Sequence, residues 1–365
     1  MPRTCIVFGA GASLANAQHF HQERRTAGNP PLDKTFFEKI RALGITVSQD
    51  LRAYAATLPT GSPFESPSPP VRMEEFFKDL FFDFSGEATA RSTIAGAYTS
   101  LIDIYRRVIS DTTDWINEDN RRGGPVGRLI AYAIDRAESV ALMTFNQDLV
   151  IENEIHKRLR LRPLWCLEHG YGDFSSHAQL MTTSASSTFA DHSTTCDRGR
   201  RLRILKLHGS LNWQVRMNGR RPSPRILSGD AAPPRVQLTR RRKVPPQLRF
   251  TRNIGRGRST WYMWPVIVPP VFNKQALIQR FIPQVWDDAR SELIQCDRLI
   301  FYGYSLPPAD IEAEKLFQRS VYANTSLASV EVVNPDPNAA ARFASLVPDK
   351  PLRWYPDVAA LLNER

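Results

Sequence analysis

The chain has 365 residues, of which 42% are hydrophobic and 23% are charged, and its formal net charge is +11. These proportions are those of an ordinary soluble globular protein. No apolar run approaches the roughly 20 residues that a bilayer-spanning helix needs, which excludes a membrane-spanning protein.

Short apolar runs predict the strands of the fold. The first begins at about Thr4, which leaves no room for a signal peptide. Most runs are continuous rather than alternating, which is typical of parallel strands that helices cover on both faces. The predicted strands are 4–8, 139–144, 202–207, 265–268, 298–302, 329–333 and 352–355.

Apolar residues three and four positions apart predict helices between these strands. The best helix spans 93–118, within a long helical region that separates the first two strands. The other predicted helices are 73–84, 126–137, 149–160, 275–294, 308–322, 338–345 and 356–363, and the predicted loops are 61–71 and 174–195. Alternation of strand and helix predicts an α/β fold with a doubly wound, mainly parallel, Rossmann-like sheet.

We expect a Rossmann-like core of residues 1–34 and 138–365, with a large helical insertion, 35–137, after the first strand. A basic insertion of about 214–262 interrupts the core. Within it, Arg216–Arg258 contains thirteen basic residues and a single acid, which accounts for the whole net charge. The segment suits a nucleic acid partner; a solvated loop or an interface for an acidic protein is the alternative.

Three strand ends carry residues that suit a nucleotide site. Gly9–Ser13 opens a helix, where glycine lets the backbone approach a pyrophosphate; a tight turn without a ligand is the alternative. Thr144–Asp148 follows the second strand and can orient a ribose or a water, although Asn and Asp also favour helix N-caps. His208 ends the next strand, directly before Gly209, and an imidazole there can exchange a proton near pH 7. The alternative is that His208 is a surface or core histidine without a catalytic role, as most histidines of soluble proteins are.

Two later strands end in the same way. Gly303 and Ser305 could hold a phosphate or a ribose, and Asn334 could hold the adenosine ribose. Each of these residues could equally form a turn or a cap.

Taken in order, these motifs resemble the sirtuin pattern of Gly-Ala-Gly-x-Ser, Asn-x-Asp, His-Gly, Gly-x-Ser and a late Asn. Protein-deacylating sirtuins carry a zinc ribbon of two Cys-x-x-Cys pairs after His-Gly, and this sequence has none. The helical insertion and the stretch Lys-Leu-His-Gly-Ser-Leu-Asn-Trp are similar to the bacterial sirtuin-like domains of antiphage defence.

The resemblance implies an NAD⁺ glycohydrolase that forms nicotinamide and ADP-ribose as the toxic effector of an abortive-infection system. NAD⁺ is then the substrate, without a further cofactor or a metal. The implied catalytic residues are Asn146, His208 and Asp148. The implied substrate-binding residues are Gly9, Ala10, Gly11, Ser13, Thr144, Gln147, Gly303, Ser305 and Asn334.

The resemblance also implies a homo-oligomer and a regulatory partner, such as a HerA-type ATPase or a short Argonaute. Three other functions stay open: an NAD⁺ or ADP-ribose sensor without catalysis, a protein deacylase or ADP-ribosyltransferase, and a nucleic-acid-binding regulator. Incubation with NAD⁺ distinguishes hydrolysis from the sensor and the regulator.

The cysteines show no paired spacing of a disulfide framework, so we expect a reducing, cytoplasmic location. Cys166 and His169, together with His192 and Cys196, have a spacing that zinc could use, although unrelated loop residues are the simpler interpretation. The remaining cysteines are Cys5 and Cys296.

Overall fold

The structure is a computed structural model. It describes residues 2–21, 29–59, 61–65, 71–86, 92–118, 123–181, 201–218, 236–239, 249–254, 257–269, 274–308, 310–347 and 349–364. Within these ranges, no helix combines the length and the apolar character needed to cross a membrane.

The described strands are β1 (Arg3–Phe8), β2 (Ser139–Thr144), β3 (Gln179–Met181), β4 (Leu202–Lys206), β5 (Gly209–Asn218), β6 (Val236–Thr239), β7 (Arg249–Ile254), β8 (Gly257–Ile267), β9 (Arg298–Tyr302), β10 (Ser329–Val333) and β11 (Leu352–Tyr355). The described α-helices are α1 (Ala10–His21), α2 (Phe36–Ala42), α3 (Gln49–Ala55), α4 (Met73–Gly86), α5 (Ser92–Glu118), α6 (Pro125–Ile134), α7 (Val150–Lys157), α8 (Asp173–His177), α9 (Gln275–Phe281), α10 (Pro283–Gln295), α11 (Ile311–Ala323), α12 (Pro337–Ala344) and α13 (Val358–Asn363).

The central sheet of the described chain has six strands in the order β4-β2-β1-β9-β10-β11, and every neighbouring pair is parallel. Numbered along the chain, this order is 3-2-1-4-5-6, which is the order of dinucleotide-binding sheets. The predicted fold class, a doubly wound and mainly parallel α/β sheet, is confirmed.

Helices cover both faces of the central sheet. Four consecutive residues of β1, Cys5–Phe8, are each at most 1% exposed, so neither face of this strand reaches solvent. α10 contacts β1 and β4, whereas α6 contacts β2. Continuous burial explains why the sequence of this strand is a continuous apolar run rather than an alternating one.

The predicted helix 275–294 is wrong in one respect, because the structure divides it into α9 and α10 at Ile282. Pro283 begins α10, and a proline lacks the N–H that a continuing helix would need. A proline also disfavours the helical conformation for the residue before it, and Ile282, with φ −141° and ψ 34°, lies outside the α-helical region.

A second sheet of the described residues has the order β3-β6-β5-β8-β7. The predicted strand 265–268, grouped in the sequence with the parallel strands, is instead the end of β8, which pairs antiparallel with β5. Val266–Val268 is buried throughout, so this run has the same apolar character as a parallel strand. Parts of the basic segment belong to this sheet, whereas 219–235, 240–248 and 255–256 lie outside the described residues.

The cysteines differ from the prediction. Cys166 is disulfide-bonded, whereas Cys5 and Cys296 are buried free thiols. A sulfur in a disulfide cannot ligate zinc as a thiolate, which removes Cys166 from the suggested zinc set. His192 and Cys196 lie outside the described residues. A spacing rule missed the disulfide because tertiary structure, not local sequence, brings cysteines together.

Candidate functional site

The strand order reverses between β1 and β9. Connections leave these two neighbouring strands in opposite directions, which opens a crevice at their carboxyl ends, the usual place for a ligand in such sheets. Here the turn after β1 contacts the turn after β9. The N–H of Gly9 donates to the carbonyl of Tyr302 at 3.1 Å, and the N–H of Gly11 donates to the carbonyl of Gly303 at 2.9 Å.

Close packing requires glycine where these turns meet. A Cβ on Gly9 would lie 2.5 Å from Cα of Tyr304. Gly303 has φ +60°, and a Cβ there would lie 2.2 Å from the backbone nitrogen of Ala12. The tight-turn interpretation therefore accounts for these glycines, and the N–H groups of Gly9 and Gly11 are engaged within the protein. Phosphate binding by Gly9, Ala10 and Gly11 stays a prediction.

Hydrogen bonds join the segment after β2 to the glycine turn. The side-chain amide of Asn146 donates to the carbonyl of Gly9 at 2.8 Å and to Oγ of Ser13 at 2.9 Å. Ser13 in turn donates to Oδ2 of the buried Asp148 at 2.6 Å. Oδ1 of Asp148 accepts from the N–H of Val150 at 2.9 Å. Both oxygens of Asp148 are thus engaged, and Asn146 is the part-exposed member of the group.

Thr144 and Gln147 are buried and make structural contacts. Thr144 accepts from the N–H of Asn146 at 3.0 Å. Gln147 accepts from the hydroxyl of Tyr105 in α5 at 2.9 Å, and its amide donates to the carbonyl of Val268 at 3.4 Å. Contact of either side chain with a substrate stays a prediction.

His208 lies where the chain passes from the central sheet into the second sheet. Its carbonyl accepts from the N–H of Val268 at 2.9 Å, and Gly209 pairs with Ile267. Gly209 has φ +76°, and a Cβ there would lie 2.0 Å from the carbonyl oxygen of Val266. The His-Gly pair therefore has a structural cause, because the turn between the sheets admits only glycine after the histidine.

The ring of His208 lies beside the carboxylate of Asp310, which two further polar side chains contact. Its Nε2 lies 3.5 Å from Oδ1 of Asp310, and the amine of Lys274 donates to the same oxygen. The hydroxyl of Tyr304 donates to Oδ2 of Asp310 at 2.9 Å. Lys274 and Asp310 are 2% and 6% exposed, so these charges lie away from bulk water. We call His208, Lys274, Tyr304 and Asp310 the histidine cluster.

Sequence reasoning missed Lys274 and Asp310. Asp310 immediately precedes α11, which suggests an ordinary N-cap, yet its side chain makes no capping hydrogen bond. Lys274 directly precedes α9, with no strand end to mark it. These two residues are 36 positions apart, and no local signal in the sequence connects them.

The environment sets the charges of the cluster. Burial lowers the pKa of His208, and the charge of Lys274 lowers it further, whereas Asp310 raises it. Burial raises the pKa of Asp310, but His208 and Lys274 outweigh burial and hold that pKa below its ordinary value. Near neutral pH the cluster therefore combines a neutral imidazole with a carboxylate and an ammonium group. Burial also raises the pKa of Tyr304, which keeps its hydroxyl a donor.

Phe145 connects the cluster to the glycine turn. Its ring stacks on Tyr304 at 4.5 Å and contacts His208 edge-on at 5.0 Å between centroids. Asn146 follows Phe145 directly in the chain, so one segment carries both the ring that contacts His208 and the amide that contacts the glycine turn. Asn146 and His208 follow the carboxyl ends of the adjacent parallel strands β2 and β4, and Asn146 contacts Gly9.

The remaining predicted residues lie along the same edge. The side-chain amide of Asn334 donates to the carbonyl of Tyr304 at 3.4 Å, and its oxygen accepts from the N–H of Asp336 at 2.9 Å. Ser305 is exposed, and its carbonyl accepts from Arg342 at 2.7 Å. Within the described ranges, no group of three or more His, Cys, Asp or Glu side chains is arranged to hold a metal ion.

No family model and no curated protein matches this chain. Among solved structures, it is similar to a Sir2 homologue mutant in complex with 2'-O-acetyl ADP ribose. That match has 14% identity and a TM-score of 0.39, over 99% of this chain and 89% of the other. A second is a structure described as the structural basis for the mechanism and regulation of Sir2 enzymes, with 12% identity and a TM-score of 0.40, over 99% and 89%. A third concerns sirtuin substrate affinity, with 11% identity and a TM-score of 0.38, over 98% and 90%. At these values, the similarity assigns no role to any residue.

Proposed function

We propose that this chain hydrolyses NAD⁺ to nicotinamide and ADP-ribose. One observation carries the proposal. At the point where the order of a 3-2-1-4-5-6 sheet reverses, Asn146 contacts the glycine turn, and the ring of the preceding residue, Phe145, contacts His208. Sheets of this order bind dinucleotides at that point. A neutral imidazole and a part-exposed amide are groups that can act on the sugar of such a ligand.

Hydrolysis of NAD⁺ requires few functional groups from the protein. Breaking the bond between nicotinamide and C1 of the ribose develops positive charge on the sugar, as in glycoside hydrolysis. Asn146 would hold the ribose or the attacking water. His208 would take a proton from that water or from a ribose hydroxyl, because burial and Lys274 keep its imidazole neutral.

In this proposal Asp148 acts through other residues and does not contact the substrate. Its oxygens bind Ser13 and the N–H of Val150, and Ser13 in turn accepts from Asn146. We therefore assign Asp148 to orienting Asn146 through Ser13, rather than to direct contact with nicotinamide. The N-terminus of α1 would favour the pyrophosphate, whose charge suits a helix N-terminus.

The test incubates the protein with NAD⁺ and measures the released nicotinamide by chromatography. Loss of a positioned general base typically costs about 10²- to 10⁴-fold, so we expect His208→Ala to lose at least 100-fold. We expect a comparable loss for Asn146→Ala. His177→Ala is the matched control, since His177 is exposed on α8 and its ring hydrogen-bonds Ser176 and the carbonyl of Asp173 of that same helix. Wild-type rates in both site variants would contradict the proposal, and NAD⁺ binding without release would favour the sensor.

We further propose that this hydrolysis serves as the toxic effector of an antiphage system. The order of motifs from Gly9–Ser13 to Asn334 and the Lys-Leu-His-Gly-Ser-Leu-Asn-Trp stretch support this role. A homo-oligomer and a regulatory protein such as a HerA-type ATPase or a short Argonaute belong to the same proposal. Nucleic acid remains a candidate partner of the basic segment 216–258. Expression of wild type and His208→Ala in infected bacteria, with cellular NAD⁺ measured over time, tests the role.

A further inference from the structure

Asp310 has the position of a helix cap but not the contacts of one. It precedes α11, where an aspartate usually accepts from backbone N–H groups, and it makes no such side-chain bond. Its two oxygens instead meet Lys274, Tyr304 and the imidazole of His208. A carboxylate that forgoes a cap and lies beside a buried imidazole indicates a role in directing that imidazole.

The geometry distinguishes the two nitrogens of His208. Nε2 is buried, has no hydrogen-bond partner among the described residues and lies 3.5 Å from Oδ1 of Asp310. If the proton is on Nε2, an approach of about 0.5 Å completes a charge-assisted hydrogen bond, and Nδ1 keeps its lone pair. Catalytic hydrogen bonds are often long before substrate binds and shorten in the complex.

We propose that Asp310 is the positioning residue of His208, that Lys274 holds Asp310 in place, and that His208 therefore presents Nδ1 to the substrate sugar. The inference rests on the proposed function, because the substrate is NAD⁺. Nδ1 takes a proton from the attacking water as its oxygen bonds to C1 of the ribose. The bond from C1 to nicotinamide breaks with its electron pair, which restores neutral nicotinamide. Asp310 stabilises the imidazolium that forms.

Lys274 and Asp310 have opposite effects on this imidazole. The ammonium group disfavours protonation of His208, and the carboxylate favours it. Glu312, whose buried Oε2 has no partner in the part of the chain that the structure describes, adds negative charge on the side of α11. From α4, Glu74 faces the Lys274 and Asp310 pair, and Tyr304 contributes a neutral hydroxyl. Removing one member of the pair should therefore move the protonation of His208 in a direction set by its sign.

The experiment measures His208 directly by ¹⁵N–¹H NMR, with its signals assigned by their loss in His208→Gln. In wild type we expect the Nε2–H tautomer. We expect Lys274→Met to raise the pKa of His208 and Asp310→Asn to lower it, each by about one pH unit or more. The acidic limb of kcat/KM for NAD⁺ should move the same way in each variant. The control is Glu331→Gln, which removes the carboxylate of another ion pair, with Arg298 at 2.8 Å, and should move neither value.

Each single variant leaves one charge buried without its partner, so the double variant Lys274→Met with Asp310→Asn guards against a failure to fold. It removes both charges, and we expect a pKa of His208 between those of the single variants and a mixture of tautomers. An Nδ1–H tautomer in wild type would overturn the proposal. So would pKa shifts of the same sign in both single variants, or an unchanged tautomer in the double variant.

The NMR readouts need no NAD⁺, which separates this inference from the proposed function. Opposite shifts of the His208 pKa without any nicotinamide release would overturn hydrolysis and leave the orientation of the imidazole standing. Nicotinamide release that depends on His208 but not on Asp310 or Lys274 would overturn the positioning role alone.

Discussion

Gly303→Ala tests whether contact between the two turns holds the site together. Gly303 has φ +60°, and an added Cβ would lie 2.2 Å from the nitrogen of Ala12, whereas real Cβ contacts essentially never fall under 3.0 Å. The turns would have to separate by about 0.8 Å. That movement would stretch the 2.9 Å hydrogen bond between the N–H of Gly11 and the carbonyl of Gly303.

The expected cost has two parts. A side chain in the left-handed region costs roughly 1–2 kcal/mol, and overpacking adds about 1–3 kcal/mol. Gly303→Ala should therefore lower the free energy of unfolding by about 2–5 kcal/mol. Gly44→Ala is the matched control, because Gly44 also has φ +60° but no atom of the described residues lies within 4 Å of a Cβ there. In Gly44→Ala the free energy of unfolding should fall only by the backbone contribution, roughly 1–2 kcal/mol.

The two variants should also differ in activity. The loop that begins at Gly303 carries Tyr304 and Asp310, and a displacement of about 1 Å can cost on the order of 10²-fold in rate. In Gly303→Ala we expect kcat/KM for NAD⁺ to fall on the order of 10²-fold. In Gly44→Ala we expect almost no change in kcat/KM. Urea unfolding followed by circular dichroism measures the stability. Equal losses of unfolding free energy in the two variants would refute the argument from close packing.

Three further predictions concern buried polar groups. Ser13→Ala removes a 2.6 Å hydrogen bond to the carboxylate of Asp148 and should lower the unfolding free energy by about 1.5–3 kcal/mol, measured by urea unfolding; an unchanged midpoint would contradict it. Lys206→Met leaves Glu152, 2.9 Å away and fully buried, without its cation, and should cost about 3–5 kcal/mol in the same assay, whereas a neutral result would show that the pair does not matter. Because the pKa of His208 is lowered on folding, the unfolded chain binds more protons, and stability should fall as pH drops below about 6.5. Thermal unfolding at pH 7.5 and 5 should then show a smaller loss in His208→Gln than in wild type; equal losses would oppose this assignment.

The central sheet could be predicted because its strands are continuous apolar runs. Because both faces of these strands are buried, the strands consist mainly of apolar residues. Their first and last residues can therefore be recognised in the sequence, as in β2 at 139–144. The second sheet was not predicted, because β6, β7 and the start of β8 lie within the basic segment. Its pattern of polar residues resembles that of a loop.

The site was predictable only where it coincides with strand ends. Asn146 and His208 each lie two residues after the end of a strand, and the rule that ligands bind at strand ends predicted that they belong to one candidate site. Lys274 and Asp310 lie in connections, and only tertiary contact reveals them. The glycines of the two turns were predicted because glycine suits a phosphate or ribose site, and that reasoning left out the packing between the turns. Packing between turns explains Gly9 and Gly303 without any phosphate, a contact that no single stretch of sequence contains.

A structure of the protein bound to ADP-ribose tests the central claim most directly. We predict the pyrophosphate at the N-terminus of α1 and the ribose C1 between the side chains of Asn146 and His208, with Nδ1 of His208 facing the sugar. ADP-ribose bound at another surface, or with its ribose away from both side chains, would contradict the account.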